Sequence, residues 1–134
     1  MNTLLLPANE ESVAQAARLM AQGEIVAIPT ETVYGIAGSA FDGAAVKKIF
    51  EAKGRPQDNP LIVHVDSLAR MEQVVQKITP RAEKLAKAFW PGPLSMILPR
   101  GPRLADEVCA GLDTVAVRMP SDLVAHRLVE LSGL

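Results

Sequence analysis

Four apolar runs too short to be helices, Ile25–Ile28, Leu61–Val65, Leu94–Leu98 and Val115–Val117, alternate along this chain with segments whose apolar residues recur at helical spacing. Strands separated by helices put the helices on the faces of a sheet. The expected fold class is therefore α/β, with helices flanking a twisted mixed sheet. Asn9 reads as the N-cap of a first helix whose stripe is Val13, Ala16, Ala17 and Met20 and which stops at Gly23. Asp42 reads as the cap of a second, with Val46, Ile49 and Phe50 inward and Gly54 at its C-terminus. Asp66 or Ser67 opens a helix through Met71 and Val75, and Thr79-Pro80 opens another that buries Leu85 and Phe89. Trp90-Pro91-Gly92-Pro93 halts that helix, since two prolines cannot continue it. Ser121–Leu131, with Val124, Leu128 and Leu131 on one face, is the last helix expected. Leu4–Leu6 and Ile36–Phe41 complete the expected strands.

Such a fold needs a core, and with aromatics at 4% of a chain that is 49% hydrophobic it must be built mainly from Ala, Val, Leu and Ile. At 134 residues, one domain spanning 1–134 is expected. A formal net charge of -1 argues against a strongly basic nucleic-acid binder, though a local basic patch is compatible with it. Cys109 is the single cysteine, which excludes an internal disulfide and a thiolate zinc cluster and points to a reducing, cytoplasmic setting. The Leu4–Leu6 run is too short for a membrane span and is soon followed by Glu10 and Glu11, so no membrane role is expected.

Candidate chemistry gathers between Pro29 and His64 and again near Arg118. Thr30, Glu31, Thr32 and Tyr34 follow a buried strand, where loops of α/β proteins carry ligands; they also suit an ordinary strand edge. Lys53 and Arg55 flank Gly54 at a helix end, and the planar guanidinium matches phosphate oxygens, while a solvated helix terminus explains a lysine equally. Asn59-Pro60 directs an amide back toward the same mouth. His64 alternates with Val63 and Val65 and so points to the opposite face, as a ligand or as a hydrogen-bonded filler. Thr114 and Arg118 share one face of their strand, with Val115 and Val117 on the other; an arginine there needs an anionic partner, from the protein or from a ligand. His126 reads as surface, and Cys109 as a small core residue. No Gly-x-x-x-x-Gly-Lys-[Ser/Thr] loop, Gly-x-Gly-x-x-Gly fingerprint or serine elbow is present. Nucleotide chemistry here would work by positioning and charge neutralisation, with Mg²⁺ as the expected companion of the nucleotide.

Four segments in order resemble one family. They are Pro29-Thr30-Glu31-Thr32-Val33-Tyr34-Gly35; Lys53-x-Arg55-Pro56 with Asn59-Pro60-Leu61 and His64; Trp90-Pro91-Gly92-Pro93-Leu94; and Val115-Ala116-Val117-Arg118-Met119-Pro120. The chain is similar to the threonylcarbamoyl-adenylate synthases of the Sua5/YrdC/TsaC group, over nearly its whole length. The resemblance implies a YrdC/RibB-like fold and an enzyme that joins L-threonine, bicarbonate and ATP into threonylcarbamoyl-AMP with release of pyrophosphate. The product would serve the t6A modification at position 37 of tRNA, through tRNA or a downstream transfer complex. Carried over residue by residue, Thr32, His64 and Arg118 would hold threonine, Lys53, Arg55, Asn59 and Thr114 would hold ATP, and Lys53 and Arg55 would be the catalytic cations. Ser95 stands where the family usually has threonine, which keeps the hydroxyl. The family pattern continues into a Ser-Ala-Asn motif beyond Leu134, so the resemblance implies an incomplete domain with weak ATP binding and poor turnover. Two rival readings are a double-stranded RNA or tRNA module using Lys47, Lys48, Lys53 and Arg55, and a carbamoyltransferase domain of hydrogenase-maturation type.

Overall fold

A computed structural model describes residues 3–31, 33–54 and 60–133. The elements are α1 (Glu10–Ala21), β1 (Val26–Ile28), β2 (Gly35–Ala37), α2 (Gly43–Lys53), β3 (Ile62–His64), α3 (Leu68–Met71), α4 (Pro80–Phe89), β4 (Met96–Pro99), β5 (Thr114–Arg118) and α5 (Leu123–Ser132), with a 3-10 turn at Asp106–Cys109 before β5. The expected α/β class and mixed sheet are present. β1 and β2 form an antiparallel pair. β3, β5 and β4 form a second sheet in that order, with β3 parallel and β4 antiparallel to the central β5.

The helix starts follow from their caps. Asn9, Asp42, Ser67 and Thr79 each accept a backbone N–H of the first turn through their side chains. Gly54 ends α2 at φ +60°, a conformation that costs glycine little. The last helix starts two residues later than expected, at Leu123, because Asp122 is the cap.

Two apolar clusters result. One packs Val46 and Phe50 of α2 and Met71 of α3 against Val63, Val115, Val117 and Met96 of the three-stranded sheet. The other joins Val13, Ala17 and Met20 of α1 to Ala125 and Leu128 of α5 and Ile28 of β1. Among the described residues no helix is long and apolar enough to cross a membrane.

Five expectations need correction. Leu4–Leu6 is not a strand, and Leu5 is 98% exposed. The strand expected over Ile36–Phe41 is confined to Gly35–Ala37, since Ser39 Oγ accepts the Phe41 N–H and turns the chain toward α2. α3 ends at Met71, because Val75 bridges Arg100 and Gln76 N–H bonds Pro99 O instead of continuing the helix. α4 buries Ala82 and Ala86, leaving Leu85 and Phe89 37% and 58% exposed. On α5, Ala125, Leu128 and Val129 are the buried residues, and Leu131 is exposed.

Candidate functional site

The three-stranded sheet has one packed face and one open face, and strict side-chain alternation decides which residues stand on each. Val63, Val65, Val115, Val117 and Met96 are buried in the core. The register Ile62↔Ala116, His64↔Arg118, Ile97↔Ala116 and Pro99↔Thr114 puts the alternate residues together on the other face. Ile62 and Ile97 there are 44% and 71% exposed.

His64 and Arg118 are register partners at the C-terminal ends of the parallel strands β3 and β5. Their backbones are therefore about 4.8 Å apart, with side chains on one face. Arg118 donates from Nε to Ser95 Oγ at 2.9 Å, a bond that fixes the guanidinium plane and, among the described residues, leaves its other nitrogens for an anion. Burial pushes the His64 imidazole below its ordinary value of 6.5, the Arg118 charge pushes it further down, and Glu31 partly opposes them. His64 is thus neutral at neutral pH, with one ring nitrogen able to accept.

Two turns hold this end of the sheet in place. In the Trp90-Pro91-Gly92-Pro93 turn, Trp90 Nε1 donates to Leu94 O at 2.8 Å, and Gly92 N–H donates to Met119 O at 2.9 Å, directly after Arg118. A Cβ on Gly92 would meet Phe89 O at 2.7 Å, which is why glycine is required. The loop between β1 and β2 is closed by Thr30 Oγ1 donating to Val33 O. It is fastened by Glu31, whose Oε1 accepts from Ser121 N (2.6 Å), Ser121 Oγ (3.1 Å) and Asp122 N (3.2 Å). Burial works to raise the Glu31 pKa, and is outweighed by backbone N–H bonds within Glu31 itself and from Ser121 and Asp122, with the Ser121 hydroxyl, which hold it at about 2.

A cleft of about 290 Å³ opens beside this pair, its polar rim formed by Thr30 and His64 and its walls by residues such as Met20, Ile28, Val46, Ile49 and Leu61. Arg118 stands outside that lining, so the cleft offers apolar contact and the His64–Arg118 rim offers the charge.

The expected site residues are placed unevenly. His64 and Arg118 come together. Thr114 shares their face but begins β5, four residues and about 13 Å along the strand from Arg118. Lys53 is exposed at the last turn of α2. Thr32, Arg55 and Asn59 lie outside the described residues. Of the cations considered for RNA, Lys48 is engaged with Gly23 O at 2.9 Å and Glu24 at 3.5 Å. His126, expected at the surface, is half-buried, with Nε2 3.2 Å from Glu130 and Nδ1 3.3 Å from Pro120 O. Cys109 is buried, and burial pushes its thiol pKa up, which suits a core residue.

Two residues that matter to the geometry have no specific partner legible in the sequence. Ser95 was visible only as a hydroxyl after the Pro-Gly-Pro-Leu turn. Glu31 lies between two threonines in the sequence, and its partners are 90 residues away.

The family model for Sua5, YciO and YrdC proteins, described as telomere recombination, matches residues 18–134. A threonylcarbamoyl-AMP synthase of Pyrococcus abyssi is 51% identical over 92% of the chain. One of Bacillus subtilis is 50% identical over 96%. The crystal structure of Pyrococcus abyssi Sua5 complexed with L-threonine superposes with a TM-score of 0.89 at 50% identity, over 93% of the chain and 37% of that protein. The chain spans 36% and 38% of the lengths of the two curated relatives.

Proposed function

We propose that this chain, which belongs to the Sua5/YciO/YrdC family, provides the amino-acid-binding part of a threonylcarbamoyl-AMP synthase site. The observation that carries the reading is the pairing of a fixed guanidinium with a neutral imidazole on neighbouring strands. An α-amino acid presents a carboxylate and, a few ångströms away, an amine and in threonine a hydroxyl. Arg118 suits the carboxylate through its remaining N–H donors. His64, uncharged, can accept from the ammonium or hydroxyl without repelling it. A threonine complex of a relative at 50% identity supports the choice of amino acid.

In this proposal the threonine amine, once deprotonated, adds to CO2 derived from bicarbonate and gives a carbamate. A carbamate oxygen then attacks the α-phosphorus of ATP, the bond from that phosphorus to the bridging oxygen breaks, and pyrophosphate leaves with the electron pair. No covalent enzyme intermediate forms. Lys53, with Arg55, would neutralise the phosphates, and Asn59 and Thr114 would contact the nucleotide, while Thr32 would join the threonine set. No group of three or more His, Cys, Asp or Glu side chains converges among the described residues. In this proposal Mg²⁺ enters on the nucleotide as part of the substrate, where it screens phosphate charge. The product would pass to the t6A pathway of tRNA.

The test is incubation of the chain with ATP, Mg²⁺, bicarbonate and labelled threonine, with detection of threonylcarbamoyl-AMP by mass, beside calorimetric titration of each substrate. Arg118→Ala should abolish threonine binding and largely spare ATP, and Lys53→Ala should do the reverse. Equal loss of both substrates in both variants would refute the division of roles.

A further inference from the structure

We infer that Glu31 is a positioning residue: its carboxylate clasps the β1–β2 loop onto the Ser121-Asp122 segment and so sets that loop against the His64–Arg118 end of the sheet. This rests on the threonine reading for its consequence, and on geometry for its existence. A single oxygen, Oε1, takes three donors, two of them backbone N–H groups immediately before α5. Those N–H groups lie three and four residues after Arg118, so the clasp joins the loop to the strand end that bears the arginine. The loop is itself closed by the Thr30 to Val33 bond, which makes Glu31 the handle of a small preformed unit. Its charge also reaches His64, whose protonation it favours. Glu31 needs to touch no ligand; it acts by fixing where the loop stands beside the His64–Arg118 end of the sheet, and preorganisation of that kind is read in affinity.

The experiment compares the chain with Glu31→Ala, Glu31→Gln and Glu31→Asp by three measurements. Amide hydrogen exchange should accelerate about tenfold at Ser121 and Asp122 in Glu31→Ala, the loss of hydrogen bonds to a charged acceptor. The NMR titration midpoint of His64 should fall in Glu31→Gln, which removes the charge with little change of shape. The dissociation constant for L-threonine should rise about tenfold in Glu31→Ala and by less in Glu31→Gln, which keeps a neutral acceptor oxygen. Glu31→Asp should recover part of the exchange protection. Unchanged amide exchange, or an unmoved His64 midpoint, overturns the clasp. Lost protection with an unchanged threonine affinity overturns its positioning role. The expected exchange and titration changes in the variants, with a wild-type chain that binds no threonine, would uphold the clasp and remove the threonine reading.

Discussion

Two opposing influences meet at His64, and their balance is measurable. Burial and then the Arg118 charge lower its pKa below 6.5, while Glu31 raises it. The unfolded chain, with an ordinary histidine, takes up this proton first as pH falls. The His64 contribution to stability is accordingly whole above about pH 6.5 and is lost as pH falls through the depressed folded value. An NMR titration should place the midpoint below 6.5, and Arg118→Ala should raise it while leaving it below 6.5, because burial is the larger cause. A midpoint at or above 6.5 in the wild type would contradict the packing around the ring. Glu31 follows the same sign in a lower window: its contribution is whole above about 4.5 and disappears as pH falls toward about 2. His64 and Arg118 were legible in the sequence because period-two alternation against valines fixes the face of a side chain regardless of tertiary detail. The bond from Arg118 to Ser95 and the bonds from Ser121 and Asp122 to Glu31 were not, since they join residues 23, 90 and 91 positions apart and depend on how the turns close.

At the scale of elements, local chemistry decided starts and tertiary packing decided faces. The caps at Asn9, Asp42, Ser67 and Thr79 are short-range hydrogen bonds, readable from residue type alone. Asp42 accepts from Ala44 N and Ala45 N at 3.0 and 3.3 Å. Asp42→Ala should cost about 1 kcal/mol in denaturant unfolding. α4 turns Ala82 and Ala86 into the core, where hydropathy alone points to Leu85 and Phe89. Leu85→Ser, at a position 37% exposed, should cost about 1 kcal/mol. Ala86→Leu, which forces extra volume into a close contact, should cost about 1–3 kcal/mol by the same measurement. The reverse ranking would mean that α4 presents its other side to the core.

Across the whole molecule, the two apolar clusters hold up a sheet face that they do not cover, and stability and binding should separate accordingly. Phe50, 1% exposed, packs within the larger cluster behind the sheet. Phe50→Ala should cost about 3–5 kcal/mol of unfolding free energy through the cavity it leaves. Among the described residues Arg118 is held on the open face by one side-chain hydrogen bond, so its removal should cost far less stability. A ligand that binds only the folded chain adds RT ln(1 + [L]/Kd), about 2.7 kcal/mol at a hundredfold excess over Kd. Under the proposed function, L-threonine should raise the melting temperature of the wild type in proportion to the logarithm of its concentration. In Arg118→Ala that rise should vanish while the unliganded melting temperature stays near the wild-type value. In Phe50→Ala the unliganded melting temperature should drop, and threonine should still raise it, because the core residue supports the sheet without meeting the ligand. If threonine fails to stabilise the Phe50→Ala chain but does stabilise the wild type, the open face depends on core packing more closely than its register with β5 requires.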